Sequence, residues 1–261
     1  MKRTLMMAGN WKMNQSVDGL SDYLTGLTHH LSSPLGDYTT LFNMVLGVPF
    51  TMLTKAQELF SPAGIQVAAQ TCHWLNKGAY TGEVSPGMLK EINISTCIVG
   101  HSERRTYYGE TSESVALKGA ACQELGLLPI ICVGETKEER VAQQTEQVLA
   151  EQLKPVVEKL NKAQPFVIAY EPVWAIGTGL TASPEEAQGA HQFIRGYLEK
   201  SWGAQVAQET RILYGGSMNP TVTESLLEQP DIDGGLVGGA SLSPESFAQM
   251  LEQTKKMSLV P

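Results

Sequence analysis

Short apolar runs recur along the chain, and the segments between them carry apolar residues at helical spacing. The runs lie near Thr4 to Ala8, Leu41 to Val48, Ile65 to Ala69, Thr96 to Val99, Leu127 to Val133, Phe166 to Tyr170, Arg211 to Tyr214 and Gly234 to Val237. They are read as eight strand candidates. Between them, Val17, Leu20, Leu24, Leu27 and Leu31 keep helical register, as do Val141, Val148, Leu149, Leu153, Val156 and Leu160. Thr136 with Glu139, and Ser183 with Pro184 and Glu186, have the form of helix-initiating boxes in which the third helical residue reaches back to the cap. Ser243-Pro244-Glu245 opens a last helix in the same way. Strand followed by helix, repeated, implies right-handed parallel crossovers and a sheet covered by helices. Eight such units favour closure into a (β/α)8 barrel. The competing open doubly wound sheet wants GxGxxG after its first strand, where this chain has Gly9-Asn10-Trp11-Lys12.

Composition narrows the class. A length of 261 residues is normal for an α/β barrel, and one domain over 1–261 is the expectation. Hydrophobic residues at 42% and charged ones at 18% supply a large core and exclude a disordered chain. A formal net charge of -8 disfavours nucleic acid and anionic membranes as partners, yet leaves room for a locally positive pocket that takes a small anion. The cysteines Cys72, Cys97, Cys122 and Cys132 form no CxxC pair, and three of them sit in apolar runs, as small buried hydrophobes of a reducing compartment do. The run Leu5 to Ala8 is too short for a signal-peptide core, and nothing approaches the roughly 20 apolar residues of a membrane span. A cytoplasmic enzyme is the simplest class.

The polar residues of unusual type cluster just after the strands, where the working face of such a barrel lies. Phe166 to Tyr170 read as a strand buried on both faces, and Glu171 sits where it emerges. After it come Pro172, an apolar flap of Val173, Trp174, Ala175 and Ile176, and then Gly177-Thr178-Gly179, a sequence built to close over a base and exclude water. As a structural residue Glu171 would be a costly buried carboxylate; as a base it needs apolar cover, which Ile176 and Leu236 could give. Lys12 beside Asn10 and Trp11 is either a solvated charge or a cation over the barrel mouth. His101, at the start of a short helix, is either a turn cap or a neutral ring able to donate to a carbonyl, since a helix N-terminus disfavours the imidazolium. Gly215-Gly216-Ser217 and Gly238-Gly239 end adjacent strands; one glycine pair is usually only a turn, but two there mark the usual phosphate position. His29, His30, His73 and His191 lie at no metal-ligand spacing, so no metal is expected.

Taken together, Gly9 to Asn14, Gly78 to Glu83, Val99 to Arg105, Cys132 to Glu135, Tyr170 to Gly179, Tyr214 to Ser217 and Leu236 to Ser241 make the chain resemble the triosephosphate isomerase family over essentially its whole length. The resemblance implies a closed (β/α)8 barrel that interconverts dihydroxyacetone phosphate and glyceraldehyde 3-phosphate without a cofactor, in glycolysis and gluconeogenesis. It makes Glu171 the base that moves a proton through an enediolate and His101 the neutral electrophile and proton shuttle. Asn10 and Lys12 would stabilise the oxyanion, with Lys12 also countering the phosphate. Gly177, Ser217, Gly238 and Gly239 would bind that phosphate through backbone N–H groups. It also implies a homodimer in which the loop Thr71 to Ser85, with Thr81 near its tip and Trp74, Leu75 and Tyr80 exposed, reaches into the partner. Two positions depart from the family pattern: Leu180, where lysine is usual, and Thr71 after Gln70, where asparagine is common. Neither bears a catalytic role.

Two other readings compete. An aldolase barrel would form a Schiff base through Lys12 and be trapped by borohydride with substrate, whereas proton transfer by Glu171 leaves nothing to trap. A non-catalytic phosphate binder would have kept the fold without the reaction, but it has no use for a base.

Overall fold

The computed structural model describes residues 3–176 and 182–259. Among the described residues, eight parallel strands form one closed barrel: β1 (Met6–Asn10), β2 (Asn43–Val48), β3 (Gln66–Ala69), β4 (Thr96–Val99), β5 (Leu128–Val133), β6 (Val167–Tyr170), β7 (Arg211–Tyr214) and β8 (Gly234–Val237). Each strand pairs with the next, and β1 closes the ring on β8 through Met6 opposite Gly234 and Ala8 opposite Leu236. The expected strand positions hold to within two residues. β1 is the instructive shift: it runs on through Gly9 and Asn10, which pair with Leu46 and Gly47. The apolar run stops at Ala8, but backbone ladders are indifferent to side-chain polarity.

Alternation along each strand sorts the side chains into two cores. Met6, Ala8, Val45, Ala68, Ile98, Ile130, Cys132, Val167, Ala169, Leu213 and Leu236 pack together as the barrel interior. Residues of the opposite phase, such as Met7, Leu46, Val67, Val99, Ile168 and Ile212, pack outward against the helices. The inward phase is what positions the chemistry. Asn10 follows Ala8 by two, and Glu171 follows Ala169 by two, so both belong to the inward phase at the strands' C-terminal ends.

The helices start as their caps dictate. Thr136 and Ser183 each accept a hydrogen bond from the third helical residue, Glu139 and Glu186, whose side chains return the bond. Ser243 caps Pro244–Ser258 by accepting from Ser246. Two expectations are corrected. The apolar pattern from Val141 to Leu160 belongs to two helices, Lys137–Val141 and Thr145–Lys159, because Gln143 takes a left-handed φ of 57° and Val141 is left 77% exposed. The stretch Ser201 to Glu209, whose polar composition reads as an ordinary surface loop, is helical instead. Helix Pro184–Trp202 runs into it, and a second helix, Ala204–Glu209, follows a turn at Gly203 with φ 96°. Its polar composition hid Ala207, which is fully buried. No described helix is long and apolar enough to cross a membrane.

One buried ion network fastens the far end of the barrel. Arg195, 5% exposed, donates to Asp231 Oδ1, to Asp233 Oδ2 at 2.8 Å, and to the carbonyls of Ala207 at 2.6 Å and Thr210 at 2.9 Å. Asp233 also accepts from the Ile212 N–H at 2.8 Å, which ties the network to β7. Removing the cation would strip its donors from Asp231 Oδ1 and from the Ala207 and Thr210 carbonyls, and would leave Asp233 with only Arg3 and the Ile212 N–H. Arg195→Met is therefore expected to lower stability by about 3–5 kcal/mol, read as the shift of the urea midpoint at unchanged slope.

Candidate active site

A cavity of about 300 Å³ opens at the C-terminal ends of the strands. It is lined by Asn10 and Lys12 after β1, His101 after β4, Ile176 after β6, Gly215 to Asn219 after β7, and Leu236 with Gly238 to Ala240 at β8. Six of the seven described site residues expected from the sequence therefore face one space. The seventh, Glu171, is 2% exposed and lies beside it, not on its wall. Gly177, Thr178, Gly179 and Leu180 lie outside the described residues.

Glu171 is held by both carboxylate oxygens. Oε2 accepts the Ser102 N–H at 2.9 Å, and Oε1 stands 2.9 Å from His101 Nε2. Its backbone is fixed as firmly, with its N–H donating to Val133 O at 2.7 Å. Two glycines make the room. A Cβ on Gly134 would stand 1.7 Å from the Glu171 carbonyl oxygen, and one on Gly215 would stand 2.8 Å from its Cγ. The sequence reading assigned the glycines after β7 to phosphate alone, yet Gly215 is also the space beside the carboxylate.

His101 caps the helix Ser102–Tyr108 by accepting the Glu103 N–H at Nδ1, 3.2 Å away. A ring that accepts at Nδ1 carries its single proton at Nε2, and that N–H is directed at Glu171. Burial works against a charge on this ring, but the Glu171 carboxylate, and then Glu103, outweigh it, so its pKa stands above the ordinary histidine value. The expectation from the sequence considered the helix N-terminus alone. The helix contact at Nδ1 is present, and the carboxylate at Nε2 pulls in the opposite direction.

Lys12 adopts a left-handed φ of 52°, and two contacts hold its backbone there. Its N–H donates to Asn10 Oδ1 at 3.0 Å, and its carbonyl accepts from Gln70 Nε2 at 2.8 Å. Nζ pairs with Glu103 Oε1 at 2.6 Å. Gly238 comes close to this side chain, since a Cβ there would stand 3.4 Å from Lys12 Cε, while Gly239 has open space around it. Ser217 donates its hydroxyl to the carbonyl of Ala175, joining the loop after β7 to the short turn Val173–Ala175 that begins the flap. That turn is anchored below, because Trp174 Nε1 and Tyr170 OH both donate to buried Glu135 Oε1, at 2.9 and 3.0 Å.

Reading residues along the chain missed three partners. The Ser102 N–H and Glu103 flank His101 inside a motif already singled out, but their bonds to Glu171 and Lys12 join segments distant in sequence. Gln70 was noted only as the neighbour of an unusual threonine, with no sign that it reaches the Lys12 carbonyl.

The arrangement offers a carboxylate, an imidazole N–H and an ammonium at one rim, with glycine-rich turns opposite. The sequence model of the triosephosphate isomerase family matches residues 5–254. Curated proteins named triosephosphate isomerase are similar across almost the full length. That of Magnetococcus marinus is 45% identical over 254 residues, covering 96% of this chain and 98% of that protein. That of Halorhodospira halophila is 47% identical over 247 residues, covering 94% and 96%, and that of Rubrobacter xylanophilus is 44% identical over 256 residues, covering 97% and 98%.

The contact between His101 and Glu171 carries its own test. With Glu171→Gln the carboxylate is gone and burial, which opposes the charged ring, remains. The His101 ring resonances followed by NMR against pH should then titrate at lower pH than in the parent protein. Titration at unchanged pH would mean that the carboxylate does not hold the pKa up.

Proposed function

This chain belongs to the triosephosphate isomerase family and is an isomerase of triose phosphates, and we propose that Glu171 is the base of that reaction, working without a cofactor. The observation that carries the reading is the carboxylate of Glu171 beside His101 Nε2 at 2.9 Å, at the rim that also bears Lys12 and Asn10. A binder of phosphate has no use for this pairing.

In the reading proposed, the substrate phosphate lies against Ser217, Gly238 and Gly239, and its carbonyl oxygen points toward His101, Lys12 and Asn10. Glu171 leaves the Ser102 N–H, turns into the cavity and takes a proton from the carbon beside the carbonyl. Releasing charge-assisted bonds of this kind costs about 1.5–3 kcal/mol each, so the turn needs substrate and apolar cover to offset it. Charge then develops on the carbonyl oxygen, where the Nε2–H of His101 and the Lys12 ammonium stabilise the enediolate. His101 carries the hydroxyl proton across to the neighbouring oxyanion, Glu171 returns the carbon-bound proton to the neighbouring carbon, and the former hydroxyl carbon becomes the new carbonyl, which interconverts dihydroxyacetone phosphate and glyceraldehyde 3-phosphate, a step shared by glycolysis and gluconeogenesis. Gly177 would add an N–H to the phosphate, and the whole of 1–261 would act as one domain in the cytoplasm.

We also propose that the active form is a homodimer. The segment from Trp74 to Glu83 is exposed throughout, including Trp74 at 36%, Leu75 at 41% and Tyr80 at 44%. Next to the catalytic cavity lies a groove of about 260 Å³ lined by Lys12, Met13, Phe50, Thr71, His101 and Tyr108. Met13 stands 94% exposed on its edge. A protruding loop and an apolar groove that shares Asn10, Lys12 and His101 with the site are complementary features of one chain, and a two-fold pair would satisfy both.

Three measurements test these proposals. Conversion of glyceraldehyde 3-phosphate by purified protein should survive a metal chelator and disappear in Glu171→Gln. Glu171→Asp, which withdraws the carboxylate by about 1 Å, should cost on the order of 100-fold in turnover at little cost in affinity for a phosphate analogue, whereas Lys12→Met should weaken both. An unchanged turnover number in Glu171→Asp would remove that residue from its role. Met13→Arg, which places a charge on the groove, should shift sedimentation toward the monomer and lower turnover at least tenfold at dilute concentration. A variant that sediments and works as the parent does would refute the groove as the interface.

A further inference from the structure

The four cysteines carry no signal in their spacing, but the fold brings three of them together. Cys72 lies just beyond β3, Cys97 is in β4 and Cys122 is in the helix Ser112–Glu124. All three are fully buried, and their sulfurs lie within 4.8 Å of one another. Cys72 Sγ and Cys122 Sγ are 3.6 Å apart. Cys97 Sγ donates to the carbonyl of its neighbour Ile98 at 3.5 Å, a weak bond that leaves its lone pairs free.

We propose that Cys72, Cys97 and Cys122 form a three-sulfur site for a soft, thiophilic metal ion, with Cu(I) the best match. Three sulfurs placed about 2.3 Å from a common centre in one plane stand about 4 Å apart, within the spread seen here. The cluster holds no fourth histidine, cysteine or carboxylate among the described residues, which disfavours the closed tetrahedral site that zinc prefers. Sulfur-only ligation selects soft ions.

Charge is the remaining obstacle in a buried site, and the neighbours meet it. Lys118, one helical turn before Cys122, places Nζ 2.6 Å from Glu110 Oε1 and 3.2 Å from the hydroxyl of Thr71, next to Cys72. Arg104 pairs with the same Glu110 oxygen. Arg104 offsets the Glu110 charge, which leaves the Lys118 ammonium as the charge that faces the sulfurs. Cu(I) bound by two thiolates and one thiol bears one net negative charge, so the two balance. In the bound state two S–H protons pass to solvent, two Cu–S bonds to thiolate form, the third sulfur adds through a lone pair, and copper stays in the +1 state.

Full-length, reduced protein titrated anaerobically with Cu(I) against a chromophoric Cu(I) chelator, and separately with Zn(II), tests the site. The expected result is one Cu(I) retained per chain, a melting temperature that rises on loading, and affinity at least about tenfold weaker in Cys97→Ala and in Cys122→Ala. Should an alanine variant fail to fold, Cys97→Val fills the same space without sulfur. Equal Cu(I) retention by the parent and the variants, no retention by the parent, or Zn(II) displacing Cu(I) from the same three sulfurs would each overturn the proposal.

Discussion

A closed parallel barrel takes inward-pointing polar side chains at its two ends, and its chemistry sits at the C-terminal one. Between the ends the inward phase is filled by Met6, Ala8, Ile98, Val167, Ala169 and Leu213, apolar side chains that offer a polar group no partner. The same two-residue period, carried one step past the last apolar residue, delivers Asn10 and Glu171 to the rim. The rim residues thus inherit their direction from the core, and the closure of β1 on β8 brings Lys12 within reach of Gly238. Everything chemical in the molecule depends on that closure.

The second constraint is that a buried carboxylate must be satisfied. Glu171 meets it with the Ser102 N–H and His101, both supplied by the segment after β4. Two strands that are not neighbours in the barrel are thereby coupled through a side chain. The coupling is provisional in the reading proposed above, since a base tied to the protein cannot also reach a substrate. Bonds to two donors orient the carboxylate without fixing it permanently, whereas one strong buried cation at that point would hold it too well. Arg105, the nearest guanidinium on the same helix, is turned to the carbonyls of Gly100 and Cys132 and to Ser112.

Most of the fold was legible because each strand is bounded by strong punctuation: Ser183 and Thr136 for helix starts, and the glycines after β7 and β8 for turns. The site was legible as a set of residue types placed after strands. What could not be read was pairing across the ring. Nothing along the chain links Glu103 to Lys12, or Gln70 to the Lys12 carbonyl, because those contacts depend on the shear of the barrel and the path of each loop. The cysteines show the same limit: Cys72, Cys97 and Cys122 lie far apart along the chain, and only the packing of the helix Ser112–Glu124 against β4 makes them neighbours. The misread stretch at Ser201 to Glu209 failed for another reason. Its one fully buried residue is an alanine, too small to register as an apolar run.

The charge pattern raises a last question, because a chain of net charge -8 has to receive a doubly charged anion. Long-range attraction cannot help, since the overall field repels the substrate and salt screens it within about 8–10 Å. Capture must therefore be local. Lys12 offers the positive charge, yet without substrate it is paired with Glu103, whose side chain is 40% exposed and so readily resolvated. A partly exposed ion pair of this kind contributes little stability, which means that a phosphate can displace the carboxylate at small cost. The incoming anion then gains the full attraction of an ammonium whose backbone is already fixed by Asn10 and Gln70. On this argument Glu103 is a placeholder that keeps Lys12 extended over the barrel mouth, and the positive φ at Lys12 is part of the same preparation.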